Sequence, residues 1–570
     1  MDSNSYASQT SNLTLITMKS IAQSLALIVI AYALTSCEDM ADPQIADPTE
    51  NMTHDQLMEH VEYLADDELR GREPGTEGED MAIDYIIDQF EEIGIEPGMP
   101  DGSFTQTVPL IGQNTTSAEL TFQRDNQPIG EYSYFDDFMS WPARDQEDVN
   151  IRDAELVYVG YGIRAPEEDW DDFKDVDVSG KILVVKNYNP VTYEDRFEGG
   201  ERLYYGRWNY KFEQAIEEGA LGALVIHTDE TAGYGWDVVA NSWNREMPNL
   251  DISYDHEMQL EGWLTQSTSE DLFESAGYDF DEMLEMAEDP DFEPVDLEGV
   301  TLNADMEAEY SATEGRNVVG MLPGNDPDVG DEALIFSAHH DHLGVGDPVE
   351  GDSIYNGAWD NASGVSSTIE MARSFKEVED DIDRSVYFVT VTAEEGGILG
   401  SEYFANNLPI PAGSVTANFN LDSVNIFERT RDLEIVGLNR SDIDDYLHDR
   451  AEDTEREIIP DQNPEQGLFY RSDHISFARV GIPAIFPKHG TDWLDHNDDF
   501  TETVEERTDK IYHTVHDRVH DWWDMSGAAE DNILLFNAAF NIINADEKMQ
   551  WLPGDEFEQA RMDALEEVDV

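Results

Sequence analysis

The spacing of apolar positions predicts two helices near the start of the chain. One helical region covers residues 53–69, and a second begins near Gly78. Gly94 ends the second helix, because glycine adopts the left-handed conformation of a helix C-cap without strain. The apolar positions of the second helix recur every three or four residues and therefore share one face: Met81, Ala82, Tyr85, Ile86, Phe90 and Ile93.

The pattern of apolar positions changes beyond residue 150. Short runs typical of β-strands, such as Glu155–Gly160 and Lys181–Lys186, surround one helix-like stretch, Lys211–Glu218. These runs predict a β-rich module. From Asn317–Leu322 onwards, apolar strands alternate with helices, which is typical of a mostly parallel, twisted sheet flanked by helices. The sequence therefore predicts an α/β fold with the β-rich module inserted into it.

These changes divide the chain into six segments. The first two are an export signal and a tether. The third and fifth are the two parts of the α/β domain, and the fourth is the β-rich insert between them. The last is an acidic, helix-prone tail. In chain order, the export signal covers residues 1–37, the tether 38–50, the first part of the α/β domain 51–150, the insert 151–305, the second part of the α/β domain 306–552 and the tail 553–570.

Length and composition indicate a soluble globular protein of two or three domains. The chain has 570 residues, of which 40% are hydrophobic and 10% aromatic. Its charge is unusual, because 126 Asp and Glu against 32 Lys and Arg give a formal net charge of −94 at pH 7. Such a field repels nucleic acid, so we expect no nucleic-acid partner. The acids are spread along the whole chain, and we hypothesise a halophilic protein whose self-repulsion is screened by salt.

The first segment has the features of an export signal. Met18-Lys19 gives a charged start, and Ile21–Leu34 is an apolar stretch of roughly 14 residues, too short to span a membrane comfortably. Leu34-Thr35-Ser36-Cys37 resembles the lipobox of bacterial lipoproteins. The resemblance implies an exported cell-envelope protein, anchored by a lipid on Cys37 at the periplasmic or extracellular face. An ordinary signal with a coincidental cysteine is the alternative. Because Cys37 is the only cysteine, internal disulfides and multi-thiolate metal sites are excluded.

Candidate chemistry begins at the end of the predicted strand Ala333–Ala338, where His339-His340-Asp341-His342 follows. In open α/β sheets, ligands bind at the carboxyl ends of strands. His339 suits a metal ligand there, and Asp341 is a nearby carboxylate able to fix the tautomer of its imidazole. An ordinary histidine without a ligand is the alternative for His339. His340 and His342 are not needed as ligands, and we expect a structural or solvent-exposed role for each of them.

Two further predicted strands end in acids. Val386–Ala393 is followed by Glu394 and Glu395, and Val415–Leu421 is followed by Asp422. Adjacent carboxylates repel each other unless a cation lies beside them or one of them is protonated. The pair at the end of the first strand therefore indicates a cation site.

Two loops supply the remaining candidates. Asp360 lies at the entrance of an apolar-faced helix, where a helix N-cap is the alternative to a ligand. His513 lies late in the chain, in Tyr512–Asp517. Because parallel strand ends and their loops meet at one edge of a sheet, we expect five side chains to converge. They are His339, Asp360, Glu395, Asp422 and His513.

Two histidines and three carboxylates suit a pair of divalent cations, Zn²⁺ first and Mn²⁺ or Co²⁺ as alternatives. Two such ions lie about 3.5–4 Å apart and share a bridging carboxylate. Glu394 is left outside the ligand set. A carboxylate next to a metal-bound water is the natural general base, so Glu394 is the candidate for that role.

The motifs resemble those of the di-zinc exopeptidases, metallopeptidase family 28, which include bacterial leucyl-type aminopeptidases and glutamate carboxypeptidase. The resemblance implies the zinc-dependent exopeptidase fold. The matching segments occur in the family's order: Ser337–Gly344, Asn356–Gly364, Ala393–Ser401, Asn420–Val424, Arg471–Ile485 and Tyr512–Asp517.

The resemblance implies two zinc ions per chain and assigns their ligands. His339 and Asp422 would hold one ion. Glu395 and His513 would hold the other. Asp360 would bridge the two ions.

The resemblance also implies how the site acts. Glu394 would be the general base for a zinc-activated water, and Tyr512 would hydrogen-bond the tetrahedral intermediate. Asp341, beside His339, completes the predicted catalytic set. The expected activity is that of an aminopeptidase, which hydrolyses N-terminal residues from peptide substrates.

The β-rich insert resembles a protease-associated domain. In related enzymes, that domain helps to form or cover the substrate entrance. The segments that carry the resemblance are Val159–Ile163, Asp177–Val185 and Gly219–Ile226.

Other functions remain open at this stage. A carboxypeptidase of the glutamate type or a glutaminyl cyclase would keep the fold and change the chemistry. A basic cluster for a substrate carboxylate would favour the carboxypeptidase, and the sequence shows no such cluster. A non-catalytic, receptor-like binding protein would have lost ligands, and no loss is visible. The sequence leaves side-chain preference, native metal and oligomeric state undetermined.

Overall fold

The computed structural model describes residues 48–568, except 175, 194–195, 233, 244–245, 253–255 and 497–498. The predicted export signal, Cys37 and nearly all of the predicted tether lie outside the described residues. From Asn51 onwards the chain forms one compact unit. Within the described ranges, every helix is too short or too polar to cross a bilayer.

The first helical region is divided into two elements. An α-helix covers His54–Leu64, and a 3₁₀ turn covers Asp67–Leu69. The α-helix is therefore shorter than the sequence predicts. The division arises because the Asp66 side chain accepts the backbone N–H of Glu68 and begins a separate turn.

The second predicted helix is confirmed and covers Glu77–Ile93. The Thr76 side chain accepts a backbone N–H in the first turn, and Gly94 follows the last turn with a φ of 89°. The helix predicted around Lys211–Glu218 is also confirmed, as Trp208–Glu217. The other α-helices are Phe197–Gly200, Asp229–Ala232, Trp236–Ser242, Gln266–Ala276, Phe280–Met286, Ser363–Glu377, Leu399–Asn406, Ile443–Asp453, His474–Arg479, Asp499–Ile511, Ser526–Ile543 and Glu558–Val568.

One large mixed sheet runs through the described part of the chain. Its strands, in spatial order, are Glu457–Pro460, Asp432–Val436, Ala484–His489, Val415–Asn420, Ala333–His339, Ser385–Val391, Val295–Leu322, Asp148–Tyr158, Ile182–Lys186, Gly222–Ile226, Leu260–Leu264 and Phe138–Pro142. The strands Glu96–Pro97, Thr105–Arg124, Gln127–Pro128 and Met247–Leu250 pair beside this series. Two small hairpins are formed by Arg164–Ala165 with Trp170–Asp171 and by Gly344–Val349 with Asp352–Tyr355.

Three neighbouring parallel strands position the candidate site. Ala333–His339 lies between Ser385–Val391 and Val415–Asn420 and pairs in parallel with both. All three strands are buried along their whole length, as expected for a parallel sheet covered by helices on both faces. Their carboxyl ends lie at the same edge, so the residues that follow each strand are brought together. The α/β prediction is confirmed.

A long two-stranded ribbon connects the β-rich insert to this sheet. Thr105–Arg124 and Val295–Leu322 pair antiparallel over nearly the full length of the shorter strand. The carboxyl end of Val295–Leu322 pairs with Ser385–Val391, and its amino end pairs with Asp148–Tyr158. The insert and the α/β domain therefore share one continuous sheet, and the predicted boundary at residue 151 lies inside a strand.

Buried aromatic side chains contribute to the hydrophobic cores that cover the sheet. In the α/β domain, the Phe336 ring stacks on Phe388 with centroids 6.0 Å apart, and Phe375 packs against Phe536 at 4.7 Å. A second core surrounds the fully buried Tyr158 in the insert and extends into the α/β domain. Aromatic side chains contribute a large share of the buried apolar area in such cores.

The acidic tail packs against the α/β domain. Its helix, Glu558–Val568, buries Arg561. The Arg561 guanidinium donates to the carbonyl oxygens of Val415 at 2.8 Å and of Met549 at 2.8 Å. The tail therefore supports the start of the strand that ends before Asp422.

Glu261 gives a testable prediction about stability. Burial raises the pKa of Glu261 from 4.5 to about 7, although the Trp141 indole N–H donates to its carboxylate at 2.8 Å. A carboxyl with a raised pKa in the folded state binds more protons there, so stability falls as the pH rises from about 4.5 to 7. Gln retains an acceptor for Trp141 and carries no charge. We expect Glu261→Gln to raise the free energy of unfolding at pH 8 by on the order of 1–3 kcal/mol.

Urea unfolding at pH 5 and pH 8, in the same molar salt, measures this effect. The increase in the free energy of unfolding should be much smaller at pH 5 than at pH 8, because the wild-type carboxyl is already protonated at pH 5. Equal gains at both pH values would show that ionisation of Glu261 does not limit stability.

Candidate functional site

The candidate residues reach one edge of the sheet from three strand ends and two loops. His339 is the last residue of its strand, and Asp422 follows Val415–Asn420 closely. Glu395 follows Ser385–Val391. Asp360 lies in the kinked turn Ala358–Ala362, before a long helix, and His513 follows the helix Asp499–Ile511.

One group of metal-binding atoms forms around His339. Its Nε2 atom lies 3.0 Å from Asp360 Oδ1 and 3.5 Å from Asp422 Oδ1. The three side chains offer one imidazole nitrogen and two carboxylate oxygens close enough to bind a common cation. His339 is fully buried, and its Nε2 atom has no hydrogen-bond partner.

A second group forms on the other side of Asp360. His513 Nε2 lies 3.2 Å from Asp360 Oδ2 and 3.1 Å from Glu395 Oε2. His342 Nδ1 lies 2.5 Å from Glu395 Oε1. Asp360, Glu395 and His342 also offer donor atoms close enough to bind one cation. Asp360 is common to both groups and presents one carboxylate oxygen to each.

The turn that carries Asp360 is held by Asp517. Its two carboxylate oxygens accept the backbone N–H groups of Trp359 at 2.8 Å and Asp360 at 3.0 Å. Gly357 opens the turn with a φ of 62°, and a Cβ there would lie only 2.4 Å from the Asp360 carbonyl oxygen and 2.5 Å from His342 Cγ. Glycine is required at this position by both the backbone conformation and the close approach.

The Asp341 carboxylate has a different contact from the one that the sequence predicts. His339 Nδ1 lies 3.2 Å from the carbonyl oxygen of Asp341 and 3.7 Å from its carboxylate. The carboxylate instead accepts the backbone N–H groups of Glu394 at 3.1 Å and Glu395 at 3.4 Å. The difference arises because the chain turns after His339, so that the carbonyl faces the ring and the side chain faces the neighbouring strand end.

Glu394 and Tyr512 lie beside the two metal-binding groups. Glu394 Oε2 is 4.0 Å from His339 Nε2. The Tyr512 ring stacks on His513 with centroids 3.9 Å apart and meets Trp359 edge-on. Tyr512 as a whole residue is 48% exposed.

Asp422 is oriented by hydrogen bonds. Ser472 Oγ donates to its Oδ2 atom at 2.6 Å, and Asn420 Nδ2 donates to Ser472 Oγ at 2.8 Å. The segment Arg471–Ile485 therefore reaches the site through Ser472.

The electrostatics of the site fit divalent cations. Burial, reinforced by the charges of Asp473 and Asp422, raises the pKa of Glu394 well above its usual range. Burial also raises the pKa of Asp341 to about 8 and that of Asp473 to about 7. Burial alone would lower the pKa of His339, but the surrounding carboxylates outweigh it and hold that pKa well above its usual value. So many carboxylates in one buried place are stabilised by added positive charge.

The donor set agrees with this electrostatic picture. Imidazole and carboxylate atoms such as His342 Nδ1 and Glu395 Oε1 are buried and lie close together, but their geometry is not that of a hydrogen bond. Such atoms are costly unless they bind a ligand. The residues therefore fit two divalent cations that share Asp360.

Sequence reasoning missed three residues of the site. His342 was treated as structural, although its ring lies against Glu395. Asp517 ends the segment that contains His513, but the sequence assigns it no role. Arg72 donates to the carbonyl oxygens of His340 at 2.7 Å and Gly357 at 2.8 Å, and thus ties two loops of the site together. The sequence signal for His342 was its position directly after a strand end; none was available for Arg72.

The cluster of carboxylates and imidazoles at the carboxyl ends of the three parallel strands has the donor set of a divalent-cation site. Residues 317–536 match the model of a family described as peptidase family M28. This match confirms the resemblance to the di-zinc exopeptidases that the sequence motifs indicate.

Two curated relatives are similar over parts of the chain. Aminopeptidase YwaD of Bacillus subtilis (strain 168) is 30% identical over 228 residues, which are 39% of this chain and 45% of the relative. Leucine aminopeptidase 1 of Leptosphaeria maculans is 26% identical over 185 residues, 30% of this chain and 44% of that protein. The chain thus spans a little under half the length of the curated relatives it matches.

Solved structures are similar over a longer part of the chain. An aminopeptidase from Aneurinibacillus sp. strain AM-1 is 19% identical and has a TM-score of 0.46, covering 87% of this chain and 95% of that one. BSAP, a zinc aminopeptidase from Bacillus subtilis, is 16% identical and has a TM-score of 0.40, covering 86% of this chain and 95% of that one.

The Asp517 contact gives a testable prediction about metal affinity. An asparagine at this position has one acceptor oxygen, so one of the two backbone N–H groups of the Asp360 turn would face an NH₂ group. We expect Asp517→Asn to weaken binding of added Zn²⁺ by about 10–100-fold without removing a ligand. Competition with a fluorescent chelator measures the affinity of each variant.

Asp521→Asn is the matched control, because Asp521 lies in the same segment and is exposed. It should bind Zn²⁺ like the wild type. If both variants bound equally well, Asp517 would have no role in holding the metal-binding turn.

Proposed function

We propose that the protein is a metal-dependent exopeptidase, and specifically an aminopeptidase that works with two zinc ions, with Mn²⁺ or Co²⁺ as alternatives. The observation that carries the proposal is the position of Asp360, whose two oxygens face His339 on one side and His513 on the other. The match to peptidase family M28 and the printed names of the relatives support it.

The described residues suggest how two ions would be held. Asp422 and His339 would hold one ion, Glu395 and His513 would hold the other, and Asp360 would bind both. His342 lies beside the second group and is available as an additional donor. When bound, the ions would supply Lewis-acid polarisation of the substrate carbonyl and acidification of a water molecule.

The remaining groups handle protons and substrate orientation. Glu394 would take a proton from the attacking water and deliver it to the leaving amine, because its carboxylate lies beside the first metal-binding group. The Tyr512 hydroxyl would donate a hydrogen bond to the oxygen that becomes negatively charged. Asp341 would act as a positioning residue, because it holds the backbone of Glu394 and Glu395.

Two features favour an aminopeptidase over the other candidates. The surplus of carboxylates around the site attracts the ammonium group of a peptide N-terminus. All five candidate metal ligands are present, which disfavours a receptor-like protein without catalysis. A carboxypeptidase or glutaminyl cyclase would share the fold and is distinguished by the substrate test below.

The β-rich insert is proposed to be a protease-associated domain that borders the substrate entrance. It packs against the segment that contacts Asp422. Tyr204 of the insert meets Tyr470 with ring centroids 6.2 Å apart, and Arg479 forms an ion pair with Glu213 of the insert at 2.9 Å. These contacts support a position of the insert beside the site.

Peptide hydrolysis tests the proposed activity. In molar salt with added zinc, the protein should release the first residue of a free peptide and leave its N-acetylated form intact, and a chelator should abolish the reaction. Cleavage from the carboxyl end, or of neither peptide, would contradict the aminopeptidase proposal.

The role of Glu394 is tested by Glu394→Gln. Because Gln cannot accept the proton, we expect kcat to fall by about 10²–10⁴-fold while two zinc ions remain bound. Metal analysis and steady-state kinetics measure the two effects. Glu377→Gln, at an exposed helix position, is the control and should leave kcat and the zinc content unchanged. A fully active Glu394→Gln variant would remove Glu394 from the mechanism.

We also propose that the protein is exported and held at a membrane by a lipid on Cys37. The lipobox-like sequence before Cys37 supports this proposal. We expect Cys37→Ala to move the protein from the membrane fraction to the soluble fraction of a bacterial host, because the lipid attachment atom is lost. Fractionation followed by immunoblotting measures the distribution, and Ser36→Ala is the control. If Cys37→Ala and Ser36→Ala were found in the membrane fraction to the same extent, the lipid anchor would be contradicted.

A further inference from the structure

Two histidines that follow the strand end at His339 have different surroundings. His340 turns away from the metal-binding groups: its Nδ1 atom lies 3.1 Å from Thr390 Oγ1, and its Nε2 atom lies 3.5 Å from a carboxylate oxygen of Glu79. His342 is equally buried, but neither of its ring nitrogens has a hydrogen-bond partner among the described residues. An imidazole buried without partners is costly, so the position of His342 requires another stabilising contact.

The two oxygens of the Glu395 carboxylate each face a histidine. His342 Nδ1 lies 2.5 Å from Oε1, and His513 Nε2 lies 3.1 Å from Oε2. The centroids of the two imidazole rings are 6.0 Å apart. Asp360 joins them, because its Oδ2 atom lies 3.2 Å from His513 Nε2 and its carboxylate groups with His342 and Glu395. Two imidazoles and two carboxylates therefore converge on the second metal-binding group.

A hydrogen bond does not explain the contact between His342 and Glu395. The separation of 2.5 Å is shorter than the range of about 2.7–3.2 Å for N–H···O hydrogen bonds, and its geometry is not that of such a bond. An imidazole nitrogen and a carboxylate oxygen that approach so closely are stabilised when both bind the same cation. The contact therefore has the character of two neighbouring ligands.

The backbone leaves space for the His342 ring at one glycine. A Cβ at Gly357 would lie 2.5 Å from His342 Cγ and 2.8 Å from Arg72 Nη2. A residue with a side chain there would displace the imidazole from the second group. Because Gly357 opens the turn that carries Asp360, the same turn presents the shared carboxylate and makes room for His342.

We propose that His342 binds the second ion through Nδ1, together with Glu395, His513 and Asp360. The second ion would then have two imidazole and two carboxylate donors. The first ion would have one imidazole, that of His339, and two carboxylates. The inference rests on the two-ion site of the proposed function, and it departs from the ligand set that the sequence resemblance implies, in which His342 has no part.

The two unequal donor sets predict a difference in metal selection. Imidazole nitrogen suits Zn²⁺, whereas carboxylate oxygen also suits Mn²⁺, and affinity at such sites is lower for Mn²⁺ than for Zn²⁺. A second imidazole therefore raises the preference for Zn²⁺ over Mn²⁺ at the second group more than at the first. We expect a protein loaded with Mn²⁺ to exchange its two ions at different Zn²⁺ concentrations, with the second group exchanging first.

Metal exchange tests this expectation. The full chain in molar salt is loaded with Mn²⁺ and titrated with Zn²⁺, and the released Mn²⁺ is measured by electron paramagnetic resonance. Wild type should release Mn²⁺ in two steps. His342→Asn replaces the imidazole nitrogen by an amide oxygen, so the earlier step should move to a Zn²⁺ concentration higher by about tenfold or more.

The exchange midpoint separates a ligand from a residue that only supports the fold. A supporting role would weaken the binding of Zn²⁺ and Mn²⁺ alike and leave the midpoint unchanged, which would overturn the proposal. His448→Asn is the matched control, because His448 is exposed on the helix Ile443–Asp453, and it should keep both wild-type steps. His342→Gln is a second variant that also offers an oxygen, in case the shorter side chain disturbs folding.

A count of the imidazole ligands gives an independent readout. With Co²⁺ in both positions, each ligating imidazole has a strongly shifted N–H proton resonance that disappears in D₂O. Wild type should show one more such resonance than His342→Asn, while His448→Asn should match wild type. Equal numbers of shifted resonances in wild type and His342→Asn would show that His342 is not a ligand.

These measurements use no peptide and therefore separate the inference from the proposed function. A protein that shows the shifted exchange step in His342→Asn but cleaves no peptide would retain the additional ligand and contradict the peptidase. A protein that cleaves peptides and has the same exchange midpoints in wild type and His342→Asn would retain the peptidase and overturn the additional ligand.

Discussion

The arrangement of the site depends on one buried cation, Arg72. Its guanidinium donates to the carbonyl oxygens of Leu64 at 2.6 Å, His340 at 2.7 Å, Asn356 at 2.6 Å and Gly357 at 2.8 Å. One side chain thus joins the end of the first helix, the loop after His339 and the turn that carries Asp360. Burial lowers the pKa of Arg72 to about 10, so it remains charged at neutral pH and offsets part of the negative charge of the nearby carboxylates. Without this group, three loop carbonyls would be buried unpaired and two ligand loops would lose their common support.

The fold and much of the site were predictable because their signals are local. His339, Glu395 and Asp422 each lie at or just after the end of an apolar strand. This local pattern alone places them at the edge of the sheet and does not depend on distant parts of the sequence. The signal that ends the second helix, Gly94, is also local in sequence. Contacts between distant segments were not predictable: Asp517 reaches the Asp360 turn across 157 positions. The part played by Asp341 was misjudged for a related reason, since the sequence gives its proximity to His339 but not the direction of its side chain.

The distances along the chain that Arg72 bridges also bear on how the protein is made. Its partners His340, Asn356 and Gly357 lie 268, 284 and 285 positions later, and His513 and Asp517 are later still. During translation, the guanidinium therefore leaves the ribosome long before the loops that it must organise, and the whole insert is synthesised in between. The metal-binding turn is then among the last parts of the chain to assemble, because contacts so distant in sequence form late and slowly. A nascent or truncated chain that lacks these late segments would therefore have no assembled metal-binding site.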